Sequence, residues 1–288
     1  MDNNKLTNYA VIDTQSGEVT QYLTQKEKDI LYNRYTSANP TNKCNDTDCR
    51  KSSDLFYMFV EEMCGSFYHN YYNNVVQHKY IFRFLYICTY MNFKNYIELG
   101  NSKDENKLAT KKDIQEILKL KDQQFYETYN YLIDNELIIV EGEYIKINSN
   151  FCNKGKLIKN NGVVRMFNNA IQYLYEQSNT KEHNKIGMLI KLLPYVHFDT
   201  NILCENPTEE NEKLIKPLKQ KKILEILDIT KPTVSSLLNL TILDNKEFAF
   251  IKFSNGAFKN VYVINPRFMY KGNSLKVDEV LKWFQLGL

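Results

Sequence analysis

The residues of this chain best suited to chemistry are short polar side chains at helical spacing: Thr230, Lys231, Thr233, Ser235, Ser236 and Asn239. Hydroxyls and amides of this size carry donors and acceptors, and the DNA major groove presents base edges that such groups read. Lys213, Lys216, Lys219, Lys221 and Lys222 stand just upstream, set against Glu212, Glu225 and Asp228. Lysines there suit phosphate contacts, which fix a protein on a duplex without specifying sequence. Downstream, Lys252, Ser254, Asn255 and Lys259 surround a turn and reach toward the adjacent backbone. The plainer alternative is a solvated, lysine-rich helix face, which is what most charge runs are. A weaker set stands earlier in the chain: Lys119, Lys121, Gln123, Gln124, Tyr126, Glu127 and Asn130. Gln and Asn can pair with adenine, but Asp122 and Glu127 would face phosphates, and retention for dimerisation competes with DNA contact there.

Other chemistries find less support. Cys44, Cys49, Cys64 and His69 are zinc-ligand types, yet their spacing is looser than the usual ligand pairs, and no metal is expected. Gly155-Lys156 has no Gly five residues earlier, so no phosphate-cradling loop is present. His183 and His197 stand alone, and no Ser/His/Asp or Cys/His arrangement or His-x-His pair appears. The 21 Tyr are explained by aromatic packing. The chain reads as a non-enzyme with no catalytic residues and no cofactor.

These groups need elements to hold them. Residues 9–23 read as a hairpin around Gly17, residues 36–53 as a polar loop, and 55–72 as an aromatic helix. A helix over 78–91 follows. Thr110 then caps a short helix, with Asp113 in the reciprocal position, and a third helix carries Phe125, Tyr129, Leu132 and Ile133. Residues 137–140 and 144–147 form a hairpin around Glu141-Gly142-Glu143. After a linker, residues 163–177 read as a connecting helix. The plan then repeats: a helix over 185–196, a polar insertion over 199–216, a helix over 219–227, a third opened by Pro232, and a hairpin over 248–264. A final amphipathic segment, 277–286, holds Trp283.

The repetition is visible in the residues. Lys112-Asp113-Ile114-Gln115-Glu116-Ile117-Leu118 returns as Lys221-Lys222-Ile223-Leu224-Glu225-Ile226-Leu227. Tyr90-Met91-Asn92-Phe93 returns as Tyr195-Val196-His197-Phe198, and Ile147-Asn148 through Lys154-Gly155 as Ile264-Asn265 through Lys271-Gly272. The offsets grow along the chain (195 − 90 = 105, 223 − 114 = 109, 264 − 147 = 117), as loop insertions produce. Three helices followed by a hairpin is the winged-helix order. The expected fold is therefore mainly α with small β wings (α+β): two tandem winged helix-turn-helix units plus an N-terminal hairpin. The expected segments are 1–53, 54–155, 156–184 and 185–288.

Over residues 8–155 the order of an N-terminal hairpin with Gly17-Glu18-Val19, an aromatic stretch near Phe56 to Phe59, and a winged helix closing on Tyr144-Ile145-Lys146-Ile147-Asn148 and Lys154-Gly155 resembles the RepL-type replication initiators of low-GC Gram-positive plasmids. Asn148-Ser149 departs from that family's Asn-Pro; Asn265-Pro266 and Lys271-Gly272 keep the pattern, and Thr233-Val234 is similar to its recognition-helix start. The duplication is similar to another plasmid initiator architecture, in which two winged helices bind iterated origin repeats. The resemblance implies sequence-specific binding of double-stranded DNA at an origin, with recruitment of host replication proteins. Phage transcriptional regulators, binding an operator, share the same parts.

Composition narrows the field. Lys+Arg 37 against Asp+Glu 34 gives +3, so only local clustering can make a nucleic-acid surface. The N-terminus has no leader pattern, and residues 80–91 are too short to span a bilayer and contain Arg83. The six Cys lack an extracellular context that would make them a disulfide framework. The expectation is a cytoplasmic protein of a bacterial host, able to homodimerise, with no membrane partner. A winged-helix protein-interaction module is the alternative of a different class.

Overall fold

The computed structural model describes residues 9–12, 19–23, 60, 63–70, 77–100, 106–155, 162–242, 247–255, 258–272 and 277–285. The chain divides into two compact units, Met1–Lys51 and Ser52–Leu288. In the first, β1 (Tyr9–Ile12) and β2 (Val19–Leu23) pair antiparallel, Tyr9 opposite Leu23.

The second unit opens with β3 (Ser66–Asn70) and α1 (His78–Cys88), then the short pair β4 (Glu98–Leu99) and β5 (Lys107–Leu108). Next come α2 (Lys111–Leu118), α3 (Asp122–Asp134), the hairpin β6 (Ile138–Glu141) and β7 (Tyr144–Ile147), and β8 (Cys152–Asn153). β9 (Val163–Phe167) runs directly into α4 (Asn168–Gln177), followed by α5 (Glu182–Ile190). The chain continues through α6 (Gln220–Leu227), α7 (Lys231–Leu238), β10 (Thr241–Ile242) and β11 (Glu247–Phe248). The hairpin β12 (Phe250–Asn255) and β13 (Phe258–Ile264), then β14 (Met269–Tyr270) and α8 (Val277–Gln285), complete it.

Local signals set the helix ends. Thr110 and Asp113 cap each other at the start of α2, and Lys107 donates to Asp113 at 2.6 Å. Lys119 and Asp228 take left-handed conformations (φ 49° and 54°) and end α2 and α6. Ile114 with Leu118, and Ile223 with Leu227, are buried four residues apart, the spacing that turns one helix face to a core.

The expectation of a mainly α chain built from two tandem winged helix-turn-helix units is corrected. The architecture is mixed α/β, organised by a four-stranded antiparallel sheet in the order β14-β9-β3-β8, with small hairpins around it. Two segments read as helix are extended: residues 66–70 and 163–167. Burial alternates along β3, with Phe67 and His69 inward, the period-two signature of a strand. Aromatic and β-branched residues suit such a pleated, half-buried surface. The sheet takes β3 and β8 from the first half of the unit and β9 and β14 from the second. One continuous core runs from Phe82 and Leu85 through Phe167 and Leu189 to Met269.

The repeated segments hold matching bonds. Asn148 Nδ2 donates to Glu136 O, and Asn265 Nδ2 to Phe248 O. Lys154 Nζ donates to Met91 O at 2.8 Å, and Lys271 Nζ to Val196 O at 3.0 Å. The sheet carries the same correspondence: Tyr68 faces Arg165 across β3 and β9, while Tyr68 also faces Asn153 and Arg165 also faces Tyr270. Arg165 Nη2 donates to Tyr68 Oη at 2.6 Å. The first helices of the two halves, α1 and α5, pack on each other. A Cβ at Gly187 on α5 would overlap the His78 carbonyl oxygen, with its carbonyl carbon 2.6 Å away. Only glycine permits that approach.

Candidate nucleic-acid interface

The surface expected to meet DNA is built by α6, α7 and the hairpin β12–β13. Buried Ile223 and Leu227 hold α6, and Val234 and Leu237 hold α7, which packs beside β12. Anchoring those positions turns Lys231, Ser235 and Asn239 outward as one exposed stripe at four-residue spacing. Thr230, the N-cap of α7, is exposed, and its hydroxyl lies 3.3 Å from that of half-buried Thr233. The Ser235 hydroxyl donates back to Lys231 O at 3.4 Å. Ser236 sits on the flank of the stripe, half-buried.

Exposed lysines stand on the neighbouring elements, with Glu225 and Asp228 exposed among them. Lys213, Lys216, Lys219, Lys221 and Lys222 are all exposed. Lys222 shares its charge with Glu225 at 3.4 Å, an exposed pair of little energetic weight. On the hairpin, Lys252 and Lys259 are exposed, and Ser254 Oγ accepts from Asn260 N at 2.8 Å. Asn255 ends β12 opposite Phe258; its side chain lies outside the described residues.

The first half carries a different surface at the corresponding place. Lys121 caps α3 and is exposed, as are Gln123 and Asn130, while Gln124 is half-buried. Gln123 donates to Glu127 at 3.3 Å, and Gln115 to Asp122 at 2.7 Å, so anions stand among the polar readers. Exposed Tyr126 lies under the Lys111 ammonium, 4.4 Å from the ring centre. The β6–β7 hairpin presents Glu141 and Glu143 at its tip and exposes Ile139 and Val140. Lys146 pairs with Glu141 at 2.9 Å, and Tyr96 donates to the same carboxylate.

A hydrogen bond joins the α7 face to α5. Lys185 Nζ donates to Ser236 Oγ at 3.1 Å. No local signal marks Lys185, because its partner lies 51 positions away. Buried His183 secures α5 from beneath: its Nδ1 accepts from Arg83 Nε at 3.3 Å, and Arg83 Nη1 donates to Thr128 at 2.6 Å. Burial and the neighbouring guanidinium push His183 down to about 4.

The remaining metal-ligand types are scattered. Cys64 is exposed on a turn with φ 55°, and His69 is buried on β3, not on a helix as the sequence suggested. His69 Nδ1 lies 3.5 Å from Cys152 Sγ. Cys44 and Cys49 fall outside the described residues. Among the described residues no three His, Cys, Asp or Glu side chains are grouped to hold a metal ion. No described helix is long and apolar enough to cross a membrane.

No protein family, curated protein or solved structure matches this chain.

Proposed function

We propose that the second half binds double-stranded DNA sequence-specifically, with α7 presented to the major groove and the flanking lysines on phosphates. The observation that carries this reading is the exposed stripe of Lys231, Ser235 and Asn239, held outward by Val234 and Leu237, together with exposed Lys219, Lys221 and Lys222 on α6 and its cap and Lys252 and Lys259 on the hairpin. Short polar groups on a rigid helix suit base edges, and neighbouring ammoniums suit the backbone. No step in this reading is catalytic. On the sequence resemblance, the DNA would be a plasmid or phage origin, and the protein would act by recruiting host replication proteins. Regulation of transcription at an operator would use the same contacts.

The first half has a separate role in this reading. Glu141 and Glu143 at the hairpin tip, with Ile139 and Val140 exposed beside them, suit a protein surface better than a phosphate backbone. Homodimerisation or a replication partner would be met there.

Fluorescence anisotropy with the DNA flanking the gene, against random duplex, at two salt concentrations tests the reading. Selective binding that weakens steeply with salt is the expected result. Absence of any salt-sensitive affinity would reject it.

A further inference from the structure

The Lys185–Ser236 contact assigns a chemistry that neither residue has alone. An ammonium has three donors and no acceptor, while a hydroxyl can do either. Lys185 donates to Ser236 Oγ at 3.1 Å. A lone pair of the hydroxyl is thereby occupied by a cation, which leaves its own O–H to act as a donor. Lys185 keeps further N–H groups beside it. Two donors and a full positive charge thus converge at the half-buried flank of α7. Ser235, one residue before, is arranged oppositely: its proton goes to Lys231 O, leaving lone pairs for the groove.

A donor pair with a cation selects an oxyanion. On duplex DNA the acceptors that suit such a pair are a backbone phosphate and the N7/O6 edge of guanine; Ser236 is half-buried and lies off the exposed stripe of Lys231, Ser235 and Asn239, which favours the backbone. The internal repeat supplies a comparison. By the offsets of 105 and 109 that relate the halves (90 to 195, 114 to 223), the positions matching Lys185 and Ser236 are Tyr80 and Glu127. Tyr80 stacks on Tyr131, and Glu127 accepts from Gln123. The first half therefore places a carboxylate where the second places a donor.

We infer that Lys185 and Ser236 together clamp one backbone phosphate beside α7, so that Ser236 positions the protein on DNA and does not read a base. The inference rests on the DNA-binding reading of α7 and sharpens it: Ser236 leaves the base-reading set, and Lys185 joins the phosphate set.

The test uses the full chain with Lys185→Gln, Lys185→Arg and Ser236→Ala, each checked for wild-type thermal unfolding. The probe is a duplex pool selected by the wild-type protein from random sequence. Affinity is measured across a salt series. Lys185→Gln keeps a donor to Ser236 but removes the charge. It should weaken all sequences alike, roughly tenfold, and flatten the slope of log affinity on log salt by about 0.9. Lys185→Arg should restore the slope. Ser236→Ala should weaken binding several-fold with the selected sequence unchanged. An unaltered slope in Lys185→Gln, or a changed base preference in Ser236→Ala, overturns the clamp while leaving DNA binding intact. A wild-type protein with no salt-dependent binding overturns the DNA reading and the clamp with it.

Discussion

Replacing Gly187 by alanine tests the junction between the two halves. On this helix the added methyl would lie 2.6 Å from the carbonyl carbon of His78 and 3.0 Å from its Cα. An ordinary carbon–carbon contact is about 3.5 Å, so the helices must separate by roughly 1 Å at this point. The obstacle is backbone, which cannot swing aside as a side-chain tip can. Residues Tyr80 to Cys88 of α1 are all buried, so any retreat of α1 disturbs the core along its length. Overpacking of this kind costs about 3 kcal/mol. Alanine opposes this by favouring helix by about 1 kcal/mol over glycine. The clash wins, leaving a net loss of about 2 kcal/mol, or roughly 4–8 °C in unfolding midpoint. Urea and thermal unfolding followed by circular dichroism read this directly. Lys191→Ala, at an exposed position capping the same helix, should stay within about 0.5 kcal/mol of the parent. A Gly187→Ala protein as stable as the parent, or more stable, would mean that α1 and α5 do not cross this closely.

Other perturbations follow from the same geometry. His183 is held down to about 4 from an ordinary 6.5, by burial first and Arg83 second. A depressed histidine contributes stability that is complete above pH 6.5 and is lost as pH falls toward 4, up to about 3 kcal/mol. His183→Gln should remove that slope from unfolding measured between pH 7 and 4; an unchanged slope would refute the assignment. Asp113, held at about 2 chiefly by Lys107, acts lower: its contribution should fade only between pH 4 and 2, and Asp113→Asn should abolish that acid step in the denaturation curve. Lys231→Ala with Ser235→Ala should reduce selectivity for the preferred duplex by about 1–3 kcal/mol, measured as the ratio of specific to random DNA affinity; an intact ratio would displace α7 as the reader. Neutralising Lys221 and Lys222 should lower affinity for every sequence and flatten the salt dependence, and an unaltered slope would count against their phosphate role.

The readable parts of this chain were those whose signals are local. Thr110 with Asp113 is a three-residue relation, and it marks the start of α2. The stripe 231, 235, 239 follows once Val234 and Leu237 are taken as the buried side. Strands β3 and β9 were illegible because their partners are distant: Ser66 faces Phe167 and Asn70 faces Val163. Phe67-Tyr68-His69 is equally at home on a helix until another strand lies beside it, and tertiary pairing overrides so weak a local preference. Lys185 was missed for the same reason, since the contact that distinguishes it lies on another helix.

The central pairing has a consequence for how the protein is made. A ribosome has synthesised β3 and every element through β8 before it reaches β9, and Asn70 waits 93 positions (163 − 70) for Val163. At synthesis rates of roughly 5–20 residues per second the interval lasts roughly 5–20 s. For most of it both edges of β3 are unpaired, because β8, its neighbour on the other side, is itself made only near the end. Open edges recruit strands from neighbouring chains, and contacts this distant in sequence slow folding. Polysomes crowded with this message therefore bring together nascent chains with the same uncovered strand, and a chaperone that shields β3 until β9 arrives would raise the yield. A fragment ending at Gly155 would keep that vulnerability permanently.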